Sequence, residues 1–172
     1  MLKNRWIPEP DLEQILAHAE RRDRDIFTLL LETGYRVDDL VSSRASAWGG
    51  DSVTLLEKKT GKQRTVKLSE RAKKAANNLR GEKYLLTGSR RPSGGETHMN
   101  RATIWRHWNK TVKEAGRGGK GYTVHSLRKC YAIRRLRETG NVEAVQKDLN
   151  HDRWVTTLLY LSDAMMDAFR RS

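Results

Sequence analysis

The segment His125-Ser126-Leu127-Arg128 sets an imidazole and a guanidinium three residues apart, a spacing that on a helix brings both side chains to one face and onto one ligand. The pair falls where a helix is expected to begin, and a helix N-terminus adds backbone amides and partial positive charge that favour a phosphate. Arg36 lies two residues beyond Gly34, at an expected sharp corner between two helices, where its guanidinium can project into a cleft and take an anion. A His-x-x-Arg pair alone is more often a solvated helix face than a site.

The elements that must hold these groups read as mainly helical. Leu12, Ile15, Leu16 and Ala19 recur at helical spacing after Pro10, and Ile26, Phe27, Leu29, Leu30 and Leu31 predict a more buried helix that Gly34 ends. Val37, Leu40 and Val41 predict a further short helix. Val53 and Leu55, then Thr65, Val66 and Leu68, predict a small antiparallel sheet with turns at Gly49-Gly50-Asp51 and Thr60-Gly61. Ser69 caps a helix to about Arg80, and Asn100 caps another carrying Ile104, Trp105, Trp108 and Val112, with a loop from Gly88 to Thr97 between them. Gly116 to Gly121 reads as a flexible basic connector into the His125 helix. Val142, Val145 and Leu149 form a last helix face, stopped by Asn150, a residue suited to the left-handed conformation. The expectation is one α+β domain over residues 1–172, mainly helical with one small antiparallel β-sheet.

Thirty-four Lys and Arg against twenty-one Asp and Glu leave a net charge of +13, spread along the chain, which points to a polyanionic partner. The run Lys58, Lys59, Lys62, Arg64 also reads as a solvated hairpin face. A lone cysteine, Cys130, excludes an internal disulfide and reads as a small buried apolar group; a reducing cytoplasm fits. No stretch has the pattern of a signal peptide or a membrane span.

The His-x-x-Arg pair has company: Thr33-Gly34-Tyr35-Arg36 upstream, Lys59-Thr60-Gly61 on the hairpin, then Leu149-Asn150-His151 and Tyr160 nine residues beyond that histidine. In order and spacing these resemble the active-site boxes of the tyrosine recombinases of the phage integrase type, over essentially the whole chain. The resemblance implies that family's catalytic-domain fold and a site-specific recombinase that cleaves and rejoins DNA through a 3′-phosphotyrosyl intermediate. It makes Arg36 and Arg128 phosphate-clamping arginines, Lys59 the hairpin lysine, His125 and His151 the two histidines, and Tyr160 the nucleophile. Asp39 matches an acidic position that supports the site, and is expected to orient a basic side chain.

Those residue types suit the chemistry. Non-bridging oxygens gain charge as phosphorus becomes five-coordinate, so fixed guanidiniums favour the transition state, and lysine is no equivalent at either position. A tyrosine hydroxyl, with a free pKa of about 10, needs a base or a positive field; His125 is the better base. Lys59 is the candidate acid for the departing 5′ oxygen, with Lys62 and then Lys58 as alternatives. His151 would hydrogen-bond a non-bridging oxygen. No cofactor and no metal is implied, in keeping with the lack of a phosphate-binding Gly-x-x-x-x-Gly-Lys-Ser/Thr loop and of clustered carboxylates.

Other residues take plainer readings. Tyr35, Tyr84, Tyr122 and Tyr131 read as core or surface aromatics, and His18 and His107 as structural or exposed. His98 borders a loop that could meet DNA. Trp105 and Trp108 fit helix packing; Trp154 packs beneath the nucleophile's helix or seals a protomer interface, with packing preferred. Asn150 departs from the family's usual glycine, and Lys129-Cys130-Tyr131 from a further histidine found in many members. The family's N-terminal core-binding domain is expected to be absent from this chain. The amphipathic tail 161–172 is expected to dock on a neighbouring protomer, with docking against its own domain as the plainer alternative, in an assembly that reaches a tetramer on double-stranded DNA, with accessory DNA-bending proteins as further partners. A bacterial or phage-encoded cytoplasmic protein is expected. A topoisomerase making the same phosphotyrosyl bond and a catalytically silent DNA-binding module are the competing readings.

Overall fold

The computed structural model describes residues 4–88, 95–151, 157, 161 and 162. Helix α1 (Glu9–His18) has Pro10 in its first turn, where the missing N–H costs nothing, and α2 (Arg21–Thr33) ends at Gly34 in the left-handed conformation. Helix α3 (Val37–Ser42) follows at once, so Arg36 is the residue at the corner. A 3-10 turn (Ala45–Trp48) leads into strands β1 (Ser52–Leu56) and β2 (Gln63–Lys67), paired antiparallel with Val53 opposite Val66 and Leu55 opposite Arg64. Val53 and Leu55 point into the core, while Thr54 and Thr65 share a 2.8 Å hydroxyl bond on the exposed face.

Ser69 accepts the Ala72 amide at the start of α4 (Glu70–Leu79), and Asn100 accepts the Ala102 amide at the start of α5 (Arg101–Glu114), so both caps act as the sequence predicts. Thr123 and Ser126 form a reciprocal capping box at α6 (Val124–Thr139), and Asn141 caps α7 (Val142–Asp148). The connector before α6 is tied down: Arg117 and Lys120 both pair with Asp11 of α1, at 2.7 and 2.9 Å, and the Tyr122 hydroxyl donates to the same carboxylate. A flexible basic connector is therefore not what is seen.

Helix α2 occupies the centre, packed on α4 and α6, and its apolar residues are buried nearly all round. Phe27 meets Trp108 of α5 edge to face at 4.9 Å. Trp108 is fully buried, as expected, but Trp105 is 55% exposed and lines an open cleft instead of packing in the core. A second apolar cluster joins α6 to α7 through Tyr131, Ile133, Val145 and Leu149, and includes Leu161. Leu161, the first residue of the tail expected to dock elsewhere, thus packs into its own domain; residues 163–172 and Trp154 lie outside the described residues. Among the described residues no helix is long and apolar enough to cross a membrane.

Candidate active site

Four separate stretches of chain meet around one carboxylate. Glu57, at the end of β1, is fully buried, and its Oε1 lies 3.1 Å from Arg36 Nη1, 3.4 Å from Arg128 Nη1 and 3.4 Å from Arg64 Nε. Its Oε2 accepts from Asn150 Nδ2 at 3.3 Å and from the Thr60 hydroxyl at 3.4 Å. Burial opposes ionisation of Glu57, but Arg128, Arg36 and Arg64 outweigh it and hold the carboxyl below its usual range.

Each arginine is anchored differently. Arg128, 2% exposed on α6, donates Nη1 to the Gly34 carbonyl at 2.5 Å and Nη2 to the Leu149 carbonyl at 2.8 Å, which ties the α2–α3 corner to the end of α7. Gly34 permits this twice over: its φ is +62°, and a Cβ there would collide with the Tyr131 ring. Arg64 donates to the Asp148 and Thr33 carbonyls at 2.7 and 2.9 Å and stacks over the Tyr35 ring at 3.9 Å. Arg36 retains 18% side-chain exposure, and its Nη1, though close to Glu57, makes no aligned hydrogen bond.

Arg64 is thus a buried structural cation, 4% exposed, and not part of a solvated hairpin face; Lys58, Lys59 and Lys62 of that run are exposed. Sequence reading passed over Glu57 and set Arg64 on a solvated face. Strand alternation carries the signal that finds them, since Val53, Leu55 and Glu57 share one face, with Arg64 and Val66 facing them across the pair.

Asp39, 3% exposed, accepts the backbone amide of Lys58 through Oδ1 at 2.9 Å. It thereby holds the hairpin backbone next to Lys59, and lies within the field of Arg36 and Arg128. Burial pushes its carboxyl up, against the pull of that amide, and its Oδ2 has no hydrogen-bond partner. Lys59 itself sits in the exposed turn between β1 and β2.

His125, in the first turn of α6, and His151, just past α7, are both partly buried in the field of Arg128 and Arg36. Burial and then those two guanidiniums pull each imidazole down to about 4, so both are neutral at pH 7. His151 Nδ1 lies 3.0 Å from the Thr157 hydroxyl; when the hydroxyl donates, the ring proton is on Nε2. Asn150 adopts φ +51°, the left-handed stop its type predicts, and gains contacts to Glu57 and the Gln63 carbonyl that glycine could not make. Arg36, Val37, Arg101, Trp105, Val124 and His125 line an open cleft of about 410 Å³. Arg36, Arg128, His125 and His151 are therefore brought together; Tyr160 lies outside the described residues.

Of the remaining residues, Tyr35 is 1% exposed, bonds the Val53 and Arg64 carbonyls, and has its hydroxyl pushed up to about 12, mainly by burial. Tyr131 is also buried, so both are core aromatics as expected. His107 pairs with Asp23 at 2.9 Å and His18 with its own helix. His98 bonds the Met99 carbonyl at 2.9 Å.

The sequence model of the phage integrase family matches residues 5–166. The chain is 31% identical over 160 residues to the tyrosine recombinase XerC of Caldanaerobacter subterraneus subsp. tengcongensis, covering 87% of this chain and 43% of that protein. It is 28% identical over 157 residues to the tyrosine recombinase XerA of Pyrococcus furiosus, covering 87% of this chain and 53% of that protein. The chain thus spans about half the length of these relatives. Its fold is similar to a crystal structure of XerA recombinase (TM-score 0.76, 24% identity, 99% of this chain and 66% of that one). It is also similar to a lambda integrase dimer bound to a COC′ core site (TM-score 0.79, 18% identity, 95% of this chain and 49% of that one).

Proposed function

We propose, since the chain belongs to the phage integrase family, that it is the catalytic domain of a site-specific DNA recombinase that cleaves and rejoins strands through Tyr160. The observation that carries this reading is the convergence of Arg36 and Arg128 on one buried carboxylate, with two neutral histidines in the same positive field. Such an arrangement suits a phosphodiester whose non-bridging oxygens gain charge during attack.

In this scheme the Tyr160 hydroxyl gives its proton to His125 and its oxygen bonds to phosphorus. The bond to the 5′ oxygen breaks, and Lys59 supplies the proton that the leaving oxygen takes up. His151 donates from Nε2 to a non-bridging oxygen. Attack by the 5′ hydroxyl of a partner strand on the 3′-phosphotyrosine then releases Tyr160 and reseals the backbone, with the bond energy conserved in the covalent link. The substrate is double-stranded DNA, bound by several protomers that assemble to a tetramer at synapsis, and the protein works in the cytoplasm of a bacterium.

The test is a nicked duplex that loses a short strand on cleavage, offered over a panel of attachment sites to wild type and Tyr160→Phe. A denaturation-resistant protein–DNA adduct with wild type, absent with the variant, is the expected result. Binding without any adduct would favour a silent DNA-binding module.

A further inference from the structure

Glu57 belongs to none of the motifs that suggested the function, yet it is the group at which the two clamp arginines meet. It lies two residues from Lys59 on the same hairpin, so it also connects the clamp to the proposed acid. The three guanidiniums around it are not equivalent. Arg128 and Arg64 are each held by two backbone carbonyls in addition to Glu57. Arg36 is the most exposed of the three, and its Nη1 sits 3.1 Å from Oε1 without an aligned hydrogen bond. Arg64 Nε also faces Glu57 without an aligned hydrogen bond, but Arg64 is fixed by its two carbonyls, so Arg36 is the guanidinium held there by charge and ready to take a better acceptor.

We infer that Glu57 is a positioning residue for strand cleavage: it holds Arg36 at a set distance from Arg128 before DNA arrives, and cedes Arg36 to the scissile phosphate while Arg128 and Arg64 stay in place. This rests on the function proposed above. The physical reason is that three guanidiniums repel one another, and an ionised carboxylate between them lets them share one small volume. Without it, Arg36 has no fixed approach to the phosphate, and a misplacement of about 1 Å costs on the order of 100-fold in rate.

The experiment compares wild type, Glu57→Gln and Glu57→Asp on two nicked duplexes, one with a normal phosphodiester at the scissile position and one with an uncharged methylphosphonate there. A neutral centre has little need of charge from arginine, so a defect that acts through the arginines fades on it. For Glu57→Gln a loss of about 100-fold is expected on the phosphodiester, with a much smaller loss on the methylphosphonate and partial recovery in Glu57→Asp. Equal losses on both substrates, together with a lowered Tm, would make Glu57 a purely structural residue and overturn the inference.

Side-chain NMR of the arginine Nε–H groups in the free protein decides the matter independently of cleavage. The Arg36 resonance is expected to gain mobility in Glu57→Gln while those of Arg64 and Arg128 do not, and an unchanged Arg36 would defeat the proposal. Should wild type cleave neither duplex, the recombinase reading fails, and the NMR result still judges the positioning role.

Discussion

In the proposed scheme, two histidines that are neutral at pH 7 divide the chemistry by the proton each can handle. His125 can accept one from a tyrosine, and His151 presents a proton on Nε2 when the Thr157 hydroxyl donates to Nδ1. Both imidazoles sit at about 4 in the free protein, well under the ordinary value of about 6.5. The pH profile of kcat/KM reports the free enzyme, so its acid limb is expected near pH 4, with a flat region from about 5.5 to 7. The limb for kcat should lie higher, because a bound phosphate favours the imidazolium. An acid limb of kcat/KM near 6.5 would show that burial and the arginine field do not hold His125 down. Stability follows the same groups. Since the unfolded chain binds these protons first, the histidine contribution is whole above about pH 6.5 and is lost progressively as pH falls toward 4. Thermal melts across that window should show Tm falling with acid.

At the level of elements, the site depends on three chain reversals: the α2–α3 corner, the β1–β2 hairpin and the stop after α7. Arg128 bonds the first and third through the Gly34 and Leu149 carbonyls, and Asp39 holds the second through the Lys58 amide. The stop after α7 is built on Asn150 at φ +51°. Glycine there keeps the backbone and loses the two side-chain contacts, whereas alanine loses the contacts and adds a left-handed penalty of about 1–2 kcal/mol. Asn150→Ala is therefore expected to be less stable than Asn150→Gly by about 1 kcal/mol in urea unfolding. Equal stabilities would mean that the backbone conformation is not what the position demands.

For the whole molecule acting on the proposed DNA substrate, a net charge of +13 with an open cleft beside Arg36 and Arg101 is expected to make phosphate contact the main source of affinity. Measured Kd for duplex DNA should rise log-linearly with salt, by on the order of 1,000-fold between 50 and 200 mM if about six phosphates are neutralised. Titrations by fluorescence anisotropy at several salt concentrations would give the slope; an affinity indifferent to salt would refute a phosphate-dominated interface. Several of the basic residues are already paired within the domain, Arg117 and Lys120 with Asp11 and Arg135 with Asp148. The slope should therefore fall well below the formal charge.

Sequence alone determined what depends on neighbours a few residues away. Ser69, Asn100, Gly34 and Asn150 start or stop elements through bonds and backbone angles within one turn, and His125 and Arg128 share a face because of helical spacing. The motif residues were legible for the same reason, as was a two-stranded hairpin from its alternation. Only the tertiary structure decided that Glu57 and Arg128, 71 residues apart, would meet in a buried cluster, that Arg64 would turn inward, and that Trp105 would remain exposed. Such outcomes depend on which charges can be buried together. A lone buried ion is so costly that its burial is settled by partners from distant segments, and no local pattern records them.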